Sequence, residues 1–263
     1  MKRPLITLLT DFGSADHYVA AMKGVILSIC PGAELVDITH EVQPFQIAEG
    51  AYLLAQAWKY FPAGSIHVVV VDPGVGSSRR AVLVEAGGHR FVGPDNGVFS
   101  LALDGVGSTA VRQLTETRYF RHPVSSTFHG RDIFAPVAGH VANGVAVAEF
   151  GPWAGEMVQL PATRPLRVSE REWVGTVLHV DRFGNIVTNL DWKSVPEIGA
   201  GKFVLKAGQY QIDRYAQNYA AAEEGELFLL RGSGDYLEIS LRAGSATKDT
   251  GISVGDGVRL TIG

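Results

Sequence analysis

The 263-residue sequence holds one cysteine, Cys30, so no internal disulfide can form. That thiol closes an apolar segment, Val25 to Cys30, where a buried structural role is expected. Basic residues are outnumbered by acidic ones, 23 against 27, and nowhere gather into a block or an aromatic-flanked stripe. Nucleic acid is therefore not an expected partner. No apolar run approaches the roughly 18 residues of a membrane span. The N-terminal MKRPLITLLTDFG meets Asp11 too soon for a secretory core, and a cytoplasmic protein is expected. The eight histidines include no HExxH and no pair at helical ligand spacing; Asp37 with His40 and Asp16 with His17 come nearest, and no metal is expected. Repeats and low-complexity segments are absent too. What remains, 46% hydrophobic and 19% charged, describes a globular chain with a substantial core.

The stretch Val68 to Arg80, VVVVDPGVGSSRR, organises the rest. An uninterrupted valine block reads as a strand buried on both faces, the kind found inside a parallel sheet covered by helices. At its end come Asp72, two glycines and Arg79, where open α/β sheets bind ligands. The alternative is a plain Asp-Pro-Gly turn with solvated arginines. Around it, Leu5 to Leu9 and Glu34 to Ile38 read as strands. Helices follow from Asp16 to Pro31 and from Ile47 to Tyr60. Further strands are expected at Ala81 to Glu85 and Arg90 to Val92, and a helix at Ile133 to Asn143 capped by Ser126 or Thr127. Beyond Gly151 the periodicity fades, then short strands recur from Val174 to Ile262. The expected class is α/β: a mostly parallel sheet with flanking helices in residues 1–158, a linker over 159–170, and a smaller antiparallel β-barrel in 171–263.

Several residues carry possible chemistry. Asp11, at the first strand end, suits a ribose diol or caps the next helix. His129 opens a helix on the same presumed side of the sheet as Asp72 and Arg79. Aspartate could orient the histidine while arginine locks the aspartate, with a water between them. Asp181-Arg182-Phe183-Gly184-Asn185 is either an Asn-stabilised hairpin turn or a site where Asn185 reads a base edge and Phe183 stacks on it. Two small-residue loops, Gly232 to Gly234 and Leu241 to Ala246, permit close backbone approach.

Taken in order, LTDFGSADHYV, VDITHEVQPF, VVDPGVGSSRR, GPDNGVFS, TFHGRDIFAPVA, HVDRFGNIVTNL and GSGDYLEI with the following GSA resemble the S-adenosylmethionine hydroxide adenosyltransferases, relatives of the fluorinase and chlorinase. The resemblance spans essentially the whole chain. It implies hydrolysis of S-adenosyl-L-methionine to adenosine and L-methionine, without metal or cofactor, by a homotrimer holding substrate between neighbouring subunits. Asp72, Arg79 and His129 would handle the water, and Asp11 the ribose. Asp16 and Asp181 would face the methionine ammonium, and Ser233 its carboxylate. Phe183, Asn185 and the backbone near Ala243 would cradle adenine, with Phe45 and Phe128 also contacting substrate. Halogenating relatives carry tyrosine at position 72 and threonine at 75, and lack the histidine at 129. The arginine that follows their carboxylate-binding serine is Gly234 here, and Val187 replaces a tryptophan. A halide adenosyltransferase and a non-catalytic SAM- or adenosine-binding protein are the alternatives.

Overall fold

Unbroken apolar runs become interior strands in the first of two units, Met1–Leu160 and Pro161–Gly263. The computed structural model describes residues 3–161, 164–195, 198 and 201–263. In the first unit the order is β1 (Leu5–Thr10), α1 (Tyr18–Ile29), β2 (Glu34–Thr39), α2 (Ile47–Ala57), β3 (Ile66–Val70), β4 (Ala81–Ala86), β5 (His89–Pro94), β6 (Thr109–Gln113) and α3 (Ala135–Ala142). The sheet runs β2-β1-β3-β5-β4-β6. It is parallel through β2, β1, β3 and β5, and antiparallel where β4 pairs with β5 and β6. The antiparallel half follows from Gly87 and Gly88, both at positive φ, which close a two-residue hairpin where a parallel pair would need a long crossover.

All five residues of β3 are buried. Alternation sends Val68 and Val70 into a core shared with Met22, Ile26 and α3, while Val69 and Val71 pack with Leu54 and Phe91. Burying both faces of one strand fixes its register, and its C-terminal end is thereby a rigid launch point for Asp72.

Among the described residues, the strands of the second unit pair antiparallel: β7 (Leu166–Ser169), β8 (Glu172–Val180), β9 (Ile186–Asp191), β10 (Phe203–Ala207), β11 (Tyr210–Ile212), β12 (Leu227–Arg231), β13 (Tyr236–Leu241) and β14 (Gly257–Ile262), with a short α4 (Ala246–Thr250) before β14. Seven strands run β11-β10-β14-β8-β9-β13-β12 in a barrel-like curl, and β7 pairs with β8. β7 lies inside the stretch read from sequence as a linker; Ala162 and Thr163 of that stretch lie outside the described residues. Its four residues are all exposed, so it carries no buried alternation to betray it. Among the described residues, no helix is long and apolar enough to cross a membrane.

One buried polar string crosses the first sheet. Thr7 Oγ1 meets His67 Nδ1 at 2.7 Å, and His67 Nε2 meets His89 Nδ1 at 3.1 Å. Burial, then the neighbouring His89, pulls the His67 pKa down to about 3. Folded His67 thus stays neutral where the unfolded chain binds a proton. Stability is complete above about pH 6.5 and is lost as pH falls toward 3, by at most about 1.4 kcal/mol per pH unit from this group. Calorimetry across pH 4–7.5 should show the melting temperature falling with acid, and His67→Gln should flatten that slope while lowering stability at neutral pH.

Candidate active site

Asp72 sits two residues beyond β3, where Val75 N–H donates to its carbonyl at 3.1 Å and turns the chain back. Arg79 returns to meet it. Its Nε donates to both Asp72 oxygens, at 2.9 and 3.0 Å, and Nη2 donates to Oδ2. The two side chains are only 4% and 10% exposed, so the arginine is not the solvated surface group of the plainer reading. The guanidinium also lies 5.3 Å over the Phe134 ring, a further cation–π restraint.

Arg79 Nη2 reaches His129 Nδ1 at 2.7 Å. Arginine has no acceptor and keeps its proton. Nδ1 must therefore be the acceptor, and the neutral imidazole carries its hydrogen on Nε2. The order is Asp72–Arg79–His129, with arginine in the middle; the sequence reading had aspartate orienting histidine directly. Burial lowers the His129 pKa, Arg79 lowers it further, and Asp72 and Asp132 oppose them. Gly76 permits this convergence. At φ +78° it passes so close to the Ser126 carbonyl that any Cβ would collide with it.

The expected cap on the His129 helix is absent: neither Ser126 nor Thr127 caps it, and it opens with a π-turn over Gly130–Phe134. Asp132, wholly buried, does the organising instead. Its carboxylate accepts from Arg131 Nε at 2.7 Å and Nη2 at 2.8 Å, and from Ser125 N–H at 2.9 Å. Sequence reasoning passed over Asp132, whose signal was an acid three residues after His129.

Thr10 pairs with Val70 across the parallel strands, so Asp11 and Asp72 emerge at one end of the sheet. Asp11 Oδ2 accepts from Phe45 N–H at 3.0 Å, and no side chain caps α1, which removes the capping alternative. Burial raises the Asp11 pKa; the Phe45 amide opposes this, and Asp72 adds to it. Phe45 holds a positive φ of 70° with its ring 70% exposed. Phe128 is buried, 5.8 Å from Phe12 and 5.1 Å from Tyr18 between ring centres, beside a cleft of about 350 Å³ that Thr127 and Arg131 also line. Asp16 is exposed in the loop before α1. His40, weighed as half of a metal pair, instead links Thr10 Oγ1 at 2.9 Å to Asp37 Oδ1 at 3.1 Å. No three His, Cys, Asp or Glu among the described residues gather as a metal site.

In the second unit a cleft of about 620 Å³ is lined by Asp181, Phe183, Asn185, Tyr219, Ala243 and Ser245, among others. Asp181 Oδ1 accepts from the backbone of Phe183 at 2.9 Å and Asn185 at 2.8 Å, and Oδ2 accepts from Asn185 Nδ2 at 2.8 Å. Phe183 projects its ring, 78% exposed. Gly184, at φ +87°, leaves no room for a Cβ against Ser245, and its carbonyl accepts from Thr247 N–H at 3.1 Å. The 181–185 turn and the Ala243 loop are thus fastened together. Ala243 itself has φ +59°. Ser233 is exposed in the turn between β12 and β13 and does not line this cleft. Tyr219, not singled out from sequence, does.

Comparison with known proteins places these features in context. The family model for the SAM hydroxide adenosyltransferase N-terminal domain matches residues 6–151, and that for the C-terminal domain matches 175–259. The chain is 37% identical to an (R)-S-adenosyl-L-methionine hydrolase of Salinispora arenicola, over 99% of this chain and 98% of that one. It is 37% identical to another from Methanocaldococcus jannaschii, over 93% and 90%. A fluorinase of Nocardia brasiliensis is more distant, at 24% over 100% and 98%. Among solved structures, an uncharacterized conserved protein from Thermotoga maritima superposes with a TM-score of 0.87 at 33% identity, covering 97% of this chain and 99% of that one.

The shared guanidinium makes a testable statement about His129. Nitrogen-15 NMR should find it neutral, with hydrogen on Nε2, and titrating below the ordinary 6.5. Arg79→Gln should raise that midpoint, since a positive neighbour is removed while Asp72 and Asp132 remain. The same change leaves Asp72 buried and unpaired, with an expected loss of about 3–5 kcal/mol in stability.

Proposed function

The chain belongs to the SAM hydroxide adenosyltransferase family, and from that premise we propose that it hydrolyses S-adenosyl-L-methionine to adenosine and L-methionine. The observation that carries the reading is the Arg79 guanidinium shared between Asp72 and His129. It builds a polar, half-buried place for one water, of the kind a hydrolase needs and a halide transferase does not. A carboxylate at position 72 would repel a halide.

Water attacks ribose C5′ in line with the sulfonium. A lone pair of the water oxygen forms the new O–C5′ bond, and the C5′–S pair leaves with sulfur as the methionine thioether. The water proton passes to solvent. Sulfonium departs as a neutral group, so no metal, cofactor or general acid is required, and the protein's task is alignment and dehydration of the nucleophile. His129 donates from Nε2 to the water oxygen and fixes its position. It does not serve as the base, because its only lone pair is engaged by Arg79. Asp72 retains about one acceptor position beyond the three contacts that Arg79 makes to it, and accepts a hydrogen from the same water. Water, with a pKa of about 15.7, is far too weak an acid for full transfer beforehand, so the proton moves late.

Asp11 holds the ribose diol, with Phe45 and Phe128 against the substrate. Phe183, Asn185 and the Ala243 backbone take adenine, and Ser233 the methionine carboxylate. Asp16 and Asp181 face the ammonium. The Asp181 turn uses three of roughly four acceptor positions on that carboxylate, so Asp16 carries more of this contact. The assembly we propose is a homotrimer with the substrate between subunits. The family resemblance supports it, and exposed Phe45 and Phe183 are rings that such an interface would cover. Light scattering should then give about three times the 28.2 kDa chain mass.

Chromatography of SAM incubations tests the activity. Adenosine and methionine, unaffected by EDTA or added chloride, are expected. A 5′-halo-adenosine would make the protein a halide transferase, and recovered SAM alone would make it a binding protein. His129→Ala should lower kcat by about 10²–10⁴-fold while KM changes less. The acid limb of kcat should lie below pH 6.5, because protonating His129 destroys its contact with Arg79.

A further inference from the structure

Asn185 has two amide hydrogens, and both are taken. One goes to Asp181 Oδ2 at 2.8 Å, the other to the Tyr219 hydroxyl at 3.4 Å. Tyr219 passes its own hydrogen to Glu238 Oε2 at 3.1 Å. Glu238 lies on β13 between two buried apolar neighbours, is only 9% exposed, and abuts Gly232 so closely that no Cβ would fit there. Burial raises the Glu238 pKa and the bond from Tyr219 opposes it; in its ionised form the carboxylate only accepts, and it then sets the direction of the whole string: Asn185 to Tyr219 to Glu238. Asp181 imposes the same direction from the other side. The amide cannot turn over. Its oxygen, to which no described residue donates, is what Asn185 offers the cleft.

We propose that Glu238, acting through the Tyr219 hydroxyl, is a positioning residue that locks Asn185 as an acceptor and so selects a 6-amino over a 6-oxo purine. This rests on the hydrolase reading above and adds to it the source of base selectivity. A 6-amino group donates to Asn185 Oδ1. A 6-oxo group would set two acceptors against each other with no way for the amide to turn and relieve them. Sites built around a buried hydrogen bond reject analogues that cannot make it far more strongly than apolar pockets reject a change in size.

The test compares kcat/KM for SAM with that for its 6-oxo analogue, S-inosyl-L-methionine, in wild type, Tyr219→Phe and Glu238→Gln. Wild type should favour SAM by at least about 10²-fold. Tyr219→Phe keeps the ring but frees one amide hydrogen for a 6-oxo group, and Glu238→Gln, able to donate to the Tyr219 hydroxyl, loosens the hold on that same hydrogen while Asp181 keeps the other. Each should lower the preference by about tenfold, the loss for SAM falling on KM more than on kcat. A merely structural role would lower both substrates together and leave the ratio intact. An unchanged ratio in Tyr219→Phe, or a wild type indifferent to the two substrates, overturns the proposal; Tyr219→Phe decides alone if Glu238→Gln does not fold. Calorimetry of wild type with adenosine and inosine separates the two levels. Adenosine binding with SAM turnover but no preference sinks the selectivity argument only, whereas neither binding nor turnover sinks the hydrolase reading and this proposal with it.

Discussion

The pairing of Arg79 with Asp72 is the contact on which the site depends. A buried guanidinium is tolerated only with its hydrogens satisfied, and Asp72 satisfies two at once. Because the arginine cannot give up its proton, its remaining contact dictates chemistry at His129, which is left with one acceptor occupied and one hydrogen facing outward. The fold serves this contact directly. β3, buried on both faces, fixes where Asp72 starts; Gly76 lets the returning loop reach Ser126; Asp132 holds the segment that carries His129.

The same end of the sheet carries two acids on neighbouring parallel strands, and their mutual repulsion helps raise the Asp11 pKa. Only one of them has an arginine. An uncompensated carboxylate there is unfavourable alone and favourable beside a cation, and a sulfonium is one. The field of that acid, Asp11, is the one that would favour a cation and disfavour an anion at this end of the sheet.

Much of this was legible in the sequence, for identifiable reasons. The valine strand, both long helices and the alternating strands of the second unit announce themselves because burial imposes a period. β7 does not, being short and exposed throughout, and nor do β6 and β11, which are five and three residues long with one buried residue each. The antiparallel half of the first sheet was written in Gly87-Gly88, but a glycine pair states a turn without stating which strands it orders. Asp72, Arg79 and His129 could be gathered to one end of a sheet by counting strands. That the arginine stands between the other two could not, since spacing says nothing of which long side chain arrives first. Tyr219 and Glu238 carry no motif. Their meaning lies in who donates to whom, and only coordinates supply that.

The acids of these sites also share a second duty. Asp11 accepts the backbone of Phe45, Asp132 that of Ser125, and Asp181 those of Phe183 and Asn185. Among the described residues, the three non-glycine residues at positive φ, Phe45, Asp235 and Ala243, fall in the loops carrying Phe45, Ser233 and the Ala243 backbone. Such backbone costs about 1–3 kcal/mol per residue and persists only where its surroundings hold it. At Phe45 the restraint is visible, because the Asp11 carboxylate grips the strained amide itself. A loop held by the carboxylate at the sheet end is placed relative to that carboxylate. Rigid strands alone would place the acids and leave the aromatic rings free. Side-chain grips on loop backbone place both, and that coupling is what turns a sheet end into a site.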